Sequence, residues 1–174
     1  MKHYNYQSTL QTIWESGVER YESGKKTPDA LLNDSELQFL SSIGLNKMDL
    51  FDYVEDFVLE GVPSWSTFAT ICDIRRSYFL EVQKGVFSTN VVEANELPAK
   101  TDEIEGIRWL PRIIPKALGK LRGELCPDIM YCCGGDRNFL ETNDIHPAEF
   151  LRIVWQFEDN PNAIMQWVKA RIST

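Results

Sequence analysis

The sequence predicts an all-α protein of about seven helices in one compact domain. Apolar residues return every three or four positions along most of the chain, Asn, Asp or Ser opens several of these runs, and Gly or Pro punctuates them. Only 86–92 also reads as a short strand.

Between Ser8 and Tyr21 the apolar residues are Leu10, Ile13, Trp14, Val18 and Tyr21, the spacing of one helix face, with Gly24 as a stop. A shorter helix is expected with Asp34 or Ser35 as its N-cap, carrying Leu37, Phe39 and Leu40 and ending before Gly44. Asn46 opens the next. Its side chain can cap the first-turn N–H groups, and Asp49 sits where a negative charge favours the helix dipole. Leu50, Phe51, Tyr53, Val54, Phe57 and Val58 form one half of that helix, and Asp49, Asp52, Glu55, Asp56 and Glu60 the other. The acidic half reads as a solvated face, not as a metal site. From Ser64 to about Lys84 a longer helix turns Phe68, Ile71, Cys72, Tyr78, Phe79 and Val82 inward, and Arg75 falls in the same stripe. An arginine there needs a partner, so it reads as an internal salt bridge or as the floor of an anion pocket.

Periodicity stops from 86 to 106, where Glu93, Glu96, Asp102, Glu103 and Glu105 face a single Lys100 around Pro98. This is an acidic connection between an N-terminal helical half, 1–85, and a C-terminal half, 107–174. A loop that long either covers something or simply joins the halves. The second half opens with a basic strip, Arg108, Arg112, Lys116, Lys120 and Arg122, without a carboxylate between them. Pro111 and Pro115 do not both fit comfortably inside one helix, so one is expected in its first turn. Helices then follow over 136–143, 147–157 with Pro147 at the first helical position, and 161–172 with Ile164, Trp167 and Val168 inward.

Positions 100 residues apart resemble each other. Phe39, Leu40, Val54 and Phe57 recur as Phe139, Leu140, Val154 and Phe157, while Leu45, Asp49, Leu50 and Phe51 are matched by Ile145, Glu149, Phe150 and Leu151. Two readings are open: a duplicated helical hairpin, or independent helices sharing one pattern.

Composition sets further bounds. With 174 residues, 43% apolar and 11% aromatic, the chain is long enough and hydrophobic enough to bury a core. No apolar run reaches the roughly 20 residues of a membrane span, and the opening Met1–Ser8 stretch lacks the apolar segment of a signal peptide. A cytoplasmic protein with reduced Cys72, Cys126, Cys132 and Cys133 is expected. The net charge is −8, and the five cations of the basic strip leave −13 for the remainder. That balance disfavours nucleic acid as a partner.

Leu110-Pro-Arg112 with Lys116-Ala117, then Asp136-Arg-Asn-Phe-Leu140, Ile145-His-Pro-Ala-Glu-Phe-Leu151 and Trp167-Val168 resemble the bacterial domain of unknown function 5069 family over about residues 107–172. Pro115 and Leu118-Gly119-Lys120 depart from its pattern. The resemblance implies a small helical bacterial protein and lends no catalytic residues.

Few residues suggest chemistry. Cys126, Cys132 and Cys133 with His146 lack the spacing of a zinc site, and His146 before Pro147 reads as a cap, not as the base of a cysteine nucleophile. No cofactor is expected. The basic strip stands out: Arg108, Arg112 and Lys116, with Trp109 and Tyr131, suit a phosphate, a carboxylate or an acidic partner surface. Alternatively the protein's own acids, including those of 93–105, neutralise the strip. The candidate ligand-binding residues are thus Arg75, Arg108, Arg112, Lys116, Tyr131 and Asp136. The preferred expectation is a non-enzymatic module for a small anion or acidic partner. The alternative is an enzyme on a small anionic substrate between the halves, held by Arg75 or Arg112, with Asp128 or Asp136 for acid/base work.

Overall fold

A computed structural model describes residues 3–172; Met1 and Lys2 of the opening stretch lie outside the described residues. The chain is all-α, with nine α-helices among the described residues and one two-stranded hairpin. It divides into two compact units, Met1–Phe87 and Ser88–Thr174. The break falls near the start of the acidic stretch, so nearly all of that stretch belongs to the second unit.

The first unit contains α1 (Tyr6–Glu22), α2 (Pro28–Leu31), α3 (Asp34–Ser42), α4 (Lys47–Glu60) and α5 (Trp65–Glu81). The one-turn α2 has too few residues to show a period in the sequence. The N-cap of α3 is Asn33, one residue before Asp34, because Asn33 and Glu36 cap each other's backbone N–H groups reciprocally. Asn46 caps α4 in the same way with Asp49, and the Ser64 hydroxyl caps α5. Trp14 stands at the centre of the core, its ring 4.6 Å from Phe68 and 5.7 Å from Phe57. Helix α1 crosses α4 at Gly17, where an added Cβ would lie 3.3 Å from Val54. Val82, expected inside, is exposed because α5 ends before it.

The second unit contains the hairpin β1 (Glu103–Ile104) and β2 (Ile107–Arg108), then α6 (Leu110–Arg122), α7 (Gly134–Thr142), α8 (Pro147–Gln156) and α9 (Pro161–Ile172). No strand forms over 86–92; Val92 alone makes a bridge, to Leu125. The acidic connection is structured. It carries a 3₁₀ turn at Ala94–Glu96 and buries Leu97 against Cys126 and Ile129. Its hairpin turns on Glu105 and Gly106, both with positive φ (50° and 79°), the signature of a two-residue type I′ loop. Helix α6 contains both prolines: Pro111 lies in the first turn, and Pro115 forfeits only the bond to the Pro111 carbonyl. His146 caps α8, its Nδ1 accepting the Ala148 N–H at 3.2 Å.

The two units repeat one plan at an offset of 100 residues. Helices α3 and α7 span 34–42 and 134–142, and α1 and α6 end at 22 and 122. The turn after each short helix is bonded identically: Leu45 N–H reaches the Leu40 carbonyl at 2.9 Å, as Ile145 N–H reaches that of Leu140 at 2.9 Å. Gly44 and Asp144 take the left-handed conformation at the same place. Leu10, Ile13, Leu40, Leu50 and Val54 are buried, as are Leu110, Ile113, Leu140, Phe150 and Val154.

Candidate functional site

The basic strip of the second unit separates into buried and accessible cations. Lys116 and Lys120 are each 3% exposed, although such residues are seldom buried unless paired. Lys116 Nζ lies 2.5 Å from Asp136 Oδ2 and 3.1 Å from Cys133 Sγ. Asp136 is fully buried and also accepts the Cys132 N–H at 2.9 Å and the Trp109 indole N–H at 2.9 Å. One carboxylate therefore ties α6, the entry to α7 and the residue before α6 together, and three donors compensate its burial. Burial also pushes the neighbouring Cys132 thiol up from 9.0 to about 12, and holds the Tyr131 hydroxyl well above its ordinary range. Both stay protonated at neutral pH.

Trp109 is the residue this lock holds. Its φ of 75° lies in the left-handed region, which a bulky side chain rarely occupies and which costs about 1–3 kcal/mol. Its backbone N–H donates to Asp102, and its carbonyl accepts from Arg112 and Ile113. Its ring lies against the α7 backbone so closely that a Cβ on Gly135 would stand 2.4 Å from Cζ2. Glycine at 135 is what lets the indole lie there.

Beside this ring opens a cleft of about 800 Å³. One wall is a single stripe of α7, Gly135, Asn138, Phe139 and Thr142, at the i, i+3, i+4, i+7 spacing of one helix face. The hairpin turn with Ile107, Arg108 and Trp109 lines the cleft as well, together with Lys100. Lys169 and Ile172 of α9 also line it, Lys169 ion-paired with Glu105. Arg108 is exposed and, among the described residues, donates only a long Nε bond, 3.4 Å, to the Lys100 carbonyl.

Of the residues singled out by sequence, Lys116 and Asp136 meet, and Arg108 reaches the cleft. Arg112 donates to the Pro98 carbonyl at 2.6 Å, and Tyr131 to that of Pro147 at 2.8 Å. Arg75 belongs to the first unit; it is fully buried, donates to Gln83 Oε1 at 2.6 Å and lies over the Phe79 ring. Asp128 is exposed. Neutralisation of the strip is therefore divided: Asp136 meets Lys116, Glu158 stands 3.8 Å from Arg122, and Arg108 and Arg112 use backbone carbonyls of the connection. Sequence reasoning passed over Lys100, Asn138 and Lys169 as cleft residues. No local pattern marks them, because separate segments bring them together. The adjacent Gly134 and Gly135 were the available signal for a close approach.

The four cysteines are free, and among the described residues no group of three or more His, Cys, Asp and Glu converges as a metal site. No described helix is long and apolar enough to cross a membrane. No family model, curated protein or solved structure matches the chain.

Proposed function

We propose that this is a cytoplasmic binding module whose second unit takes up a small anion in the cleft beside Trp109. The observation that carries this reading is the accessible Arg108 guanidinium which, with Lys100, lines a cleft of ligand size. A guanidinium bonded, among the described residues, only to a backbone carbonyl keeps its charge and most of its donors for a carboxylate or phosphate. The buried Lys116–Asp136 pair takes no ligand in this reading; it supports the wall against which the ligand rests. The resemblance of 107–172 to the domain of unknown function 5069 family, and with it a bacterial source, is part of the same proposal.

Binding over catalysis is favoured by the state of Asp136. Its carboxylate already accepts from Lys116, Trp109 and Cys132, which leaves it poorly suited to exchange protons with a substrate. Calorimetric titration with pyrophosphate and with citrate tests the proposal. Saturable binding of at least one, weakened tenfold or more by Arg108→Glu in a variant with an unchanged circular dichroism spectrum, is the expected result. Equal heats for the two proteins would contradict it.

A further inference from the structure

The cleft contains more than an anion requires, and its remaining features define the class of ligand. Inorganic anions need a few donors and little volume, whereas about 800 Å³ falls in the range of roughly 300–1,000 Å³ that encloses drug-sized molecules. An indole and a phenyl ring, Trp109 and Phe139, line it beside the cations. The Trp109 ring is fixed, because its N–H is held by buried Asp136 and its edge lies on Gly135. A strained backbone conformation maintained by a buried ion pair is the arrangement expected of a preorganised contact surface. Asn138 and Thr142, one turn apart on α7, add polar groups to the lining.

We infer that the ligand is an anion bearing a flat heteroaromatic ring, of the size of a nucleoside monophosphate. Resting on the reading of the cleft as an anion site, the inference adds that the ring stacks on Trp109 while its anionic group meets Arg108 and Lys100. Stacking on an aromatic side chain suits any base, because every base presents a π-face. Asn138 and Thr142 offer hydrogen bonds to ring nitrogens and exocyclic groups. Lys116 and Asp136 are positioning residues in this account. They touch no ligand and fix the plane of the indole.

Amide and indole NMR spectra recorded during titration with adenosine monophosphate, adenosine and inorganic phosphate test this, the Trp109 indole signal being identified by its loss in Trp109→Phe. Adenosine monophosphate is expected to shift the signals of Trp109, Gly135 and Asn138 and to bind at least tenfold more tightly than adenosine or phosphate. Trp109→Phe, which keeps a ring, should retain most of the affinity, and Trp109→Leu should lose at least fivefold. If Trp109→Leu does not fold, Asn138→Ala, a change at an exposed position, is expected to weaken the nucleotide and leave phosphate unaffected. Phosphate binding as tightly as the nucleotide, and still depending on Arg108, would overturn the inference and leave the anion site standing. Absence of binding by all three probes, with Arg108→Glu indistinguishable from the parent, would overturn both.

Discussion

The two units place a groove at the same point of the same helical plan and line it with different chemistry. In the first unit, Asn5, Ser8, Thr9, Ser35 and Phe39 border a groove of about 490 Å³; in the second, Glu105, Arg108, Trp109, Gly135 and Phe139 stand at the matching positions around about 800 Å³. The phenylalanine is kept. Small hydroxyl side chains are exchanged for a guanidinium, an indole and the glycine that admits it. The hydroxyls of Thr9, Thr12 and Ser35 bond to Asn5, Ser8 and Asn33 of their own unit. The groove thus follows from the helix arrangement, and its capacity to bind an anion follows from what lines it.

The acid behind the groove differs in the same way. Glu36 and Asp136 both occupy the first turn of the short helix and both meet a cation from the preceding long helix. Glu36 takes a two-pronged bond from Arg20, at 2.6 and 2.9 Å, with both side chains partly in solvent. Asp136 and Lys116 are almost wholly out of solvent, 0% and 3% exposed. Removing one partner of a buried pair costs about 3–5 kcal/mol, against about 1 kcal/mol or less near the surface. Asp136→Ala should therefore destabilise the second unit by about 3–5 kcal/mol in urea unfolding, and Glu36→Ala the first by about 1 kcal/mol; similar losses would remove the distinction.

Exchanging the residues at 35 and 135 sharpens the contrast. Gly135→Ser introduces a side chain where the indole lies, so Trp109 has to move, at a cost of about 1–3 kcal/mol. Ser35→Gly should cost about 1 kcal/mol or less, through backbone entropy in α3. Thermal unfolding of the two variants, with the Trp109 indole NMR signal as a local probe, checks both expectations. At the second helix of each hairpin the units should behave alike. Asn46→Ala and His146→Ala each remove a cap, and each is expected to cost about 0.5–2 kcal/mol by the same unfolding measurement.

Alkaline pH gives the smallest predicted difference. In the second unit Cys132 is raised from 9.0 to about 12; in the first, burial and the Asp73 and Glu55 carboxylates raise Tyr6 and Tyr21 from 10.0 to about 12. A raised folded-state pKa means that stability is complete below the unfolded value and falls as pH climbs towards the folded one. The second unit should begin to lose stability near pH 9 and the first near pH 10. Hydrogen exchange followed separately on amides of each unit measures this, and Cys132→Ala should delay the earlier loss.

How much was legible in the sequence follows the range of the forces involved. Periodicity and capping act within one or two turns, so α1, α4, α5, α8 and α9 were readable nearly to their ends, with Asn46 recognised as a cap and Ser64 as the start of α5. The hairpin was not, because two-residue strands have no alternation to detect, and its turn uses Glu105-Gly106 in place of Asn-Gly. Arg75 was correctly placed in the apolar stripe, but its bond to Gln83 depends on how the chain turns after α5. The basic strip was visible as charge. Which of its members would be buried was not, since that depends on Asp136 arriving from α7 and on a backbone path that brings the 98–100 carbonyls to Arg108 and Arg112.

One amide NMR spectrum of the whole chain, taken with and without adenosine monophosphate, tests most directly the claim that a shared groove became a binding site in only one unit. The account predicts movement of signals from 105–109 and 135–143, with those from 5–13 and 33–39 unmoved. Movement confined to the first groove, or equal in both, would contradict it.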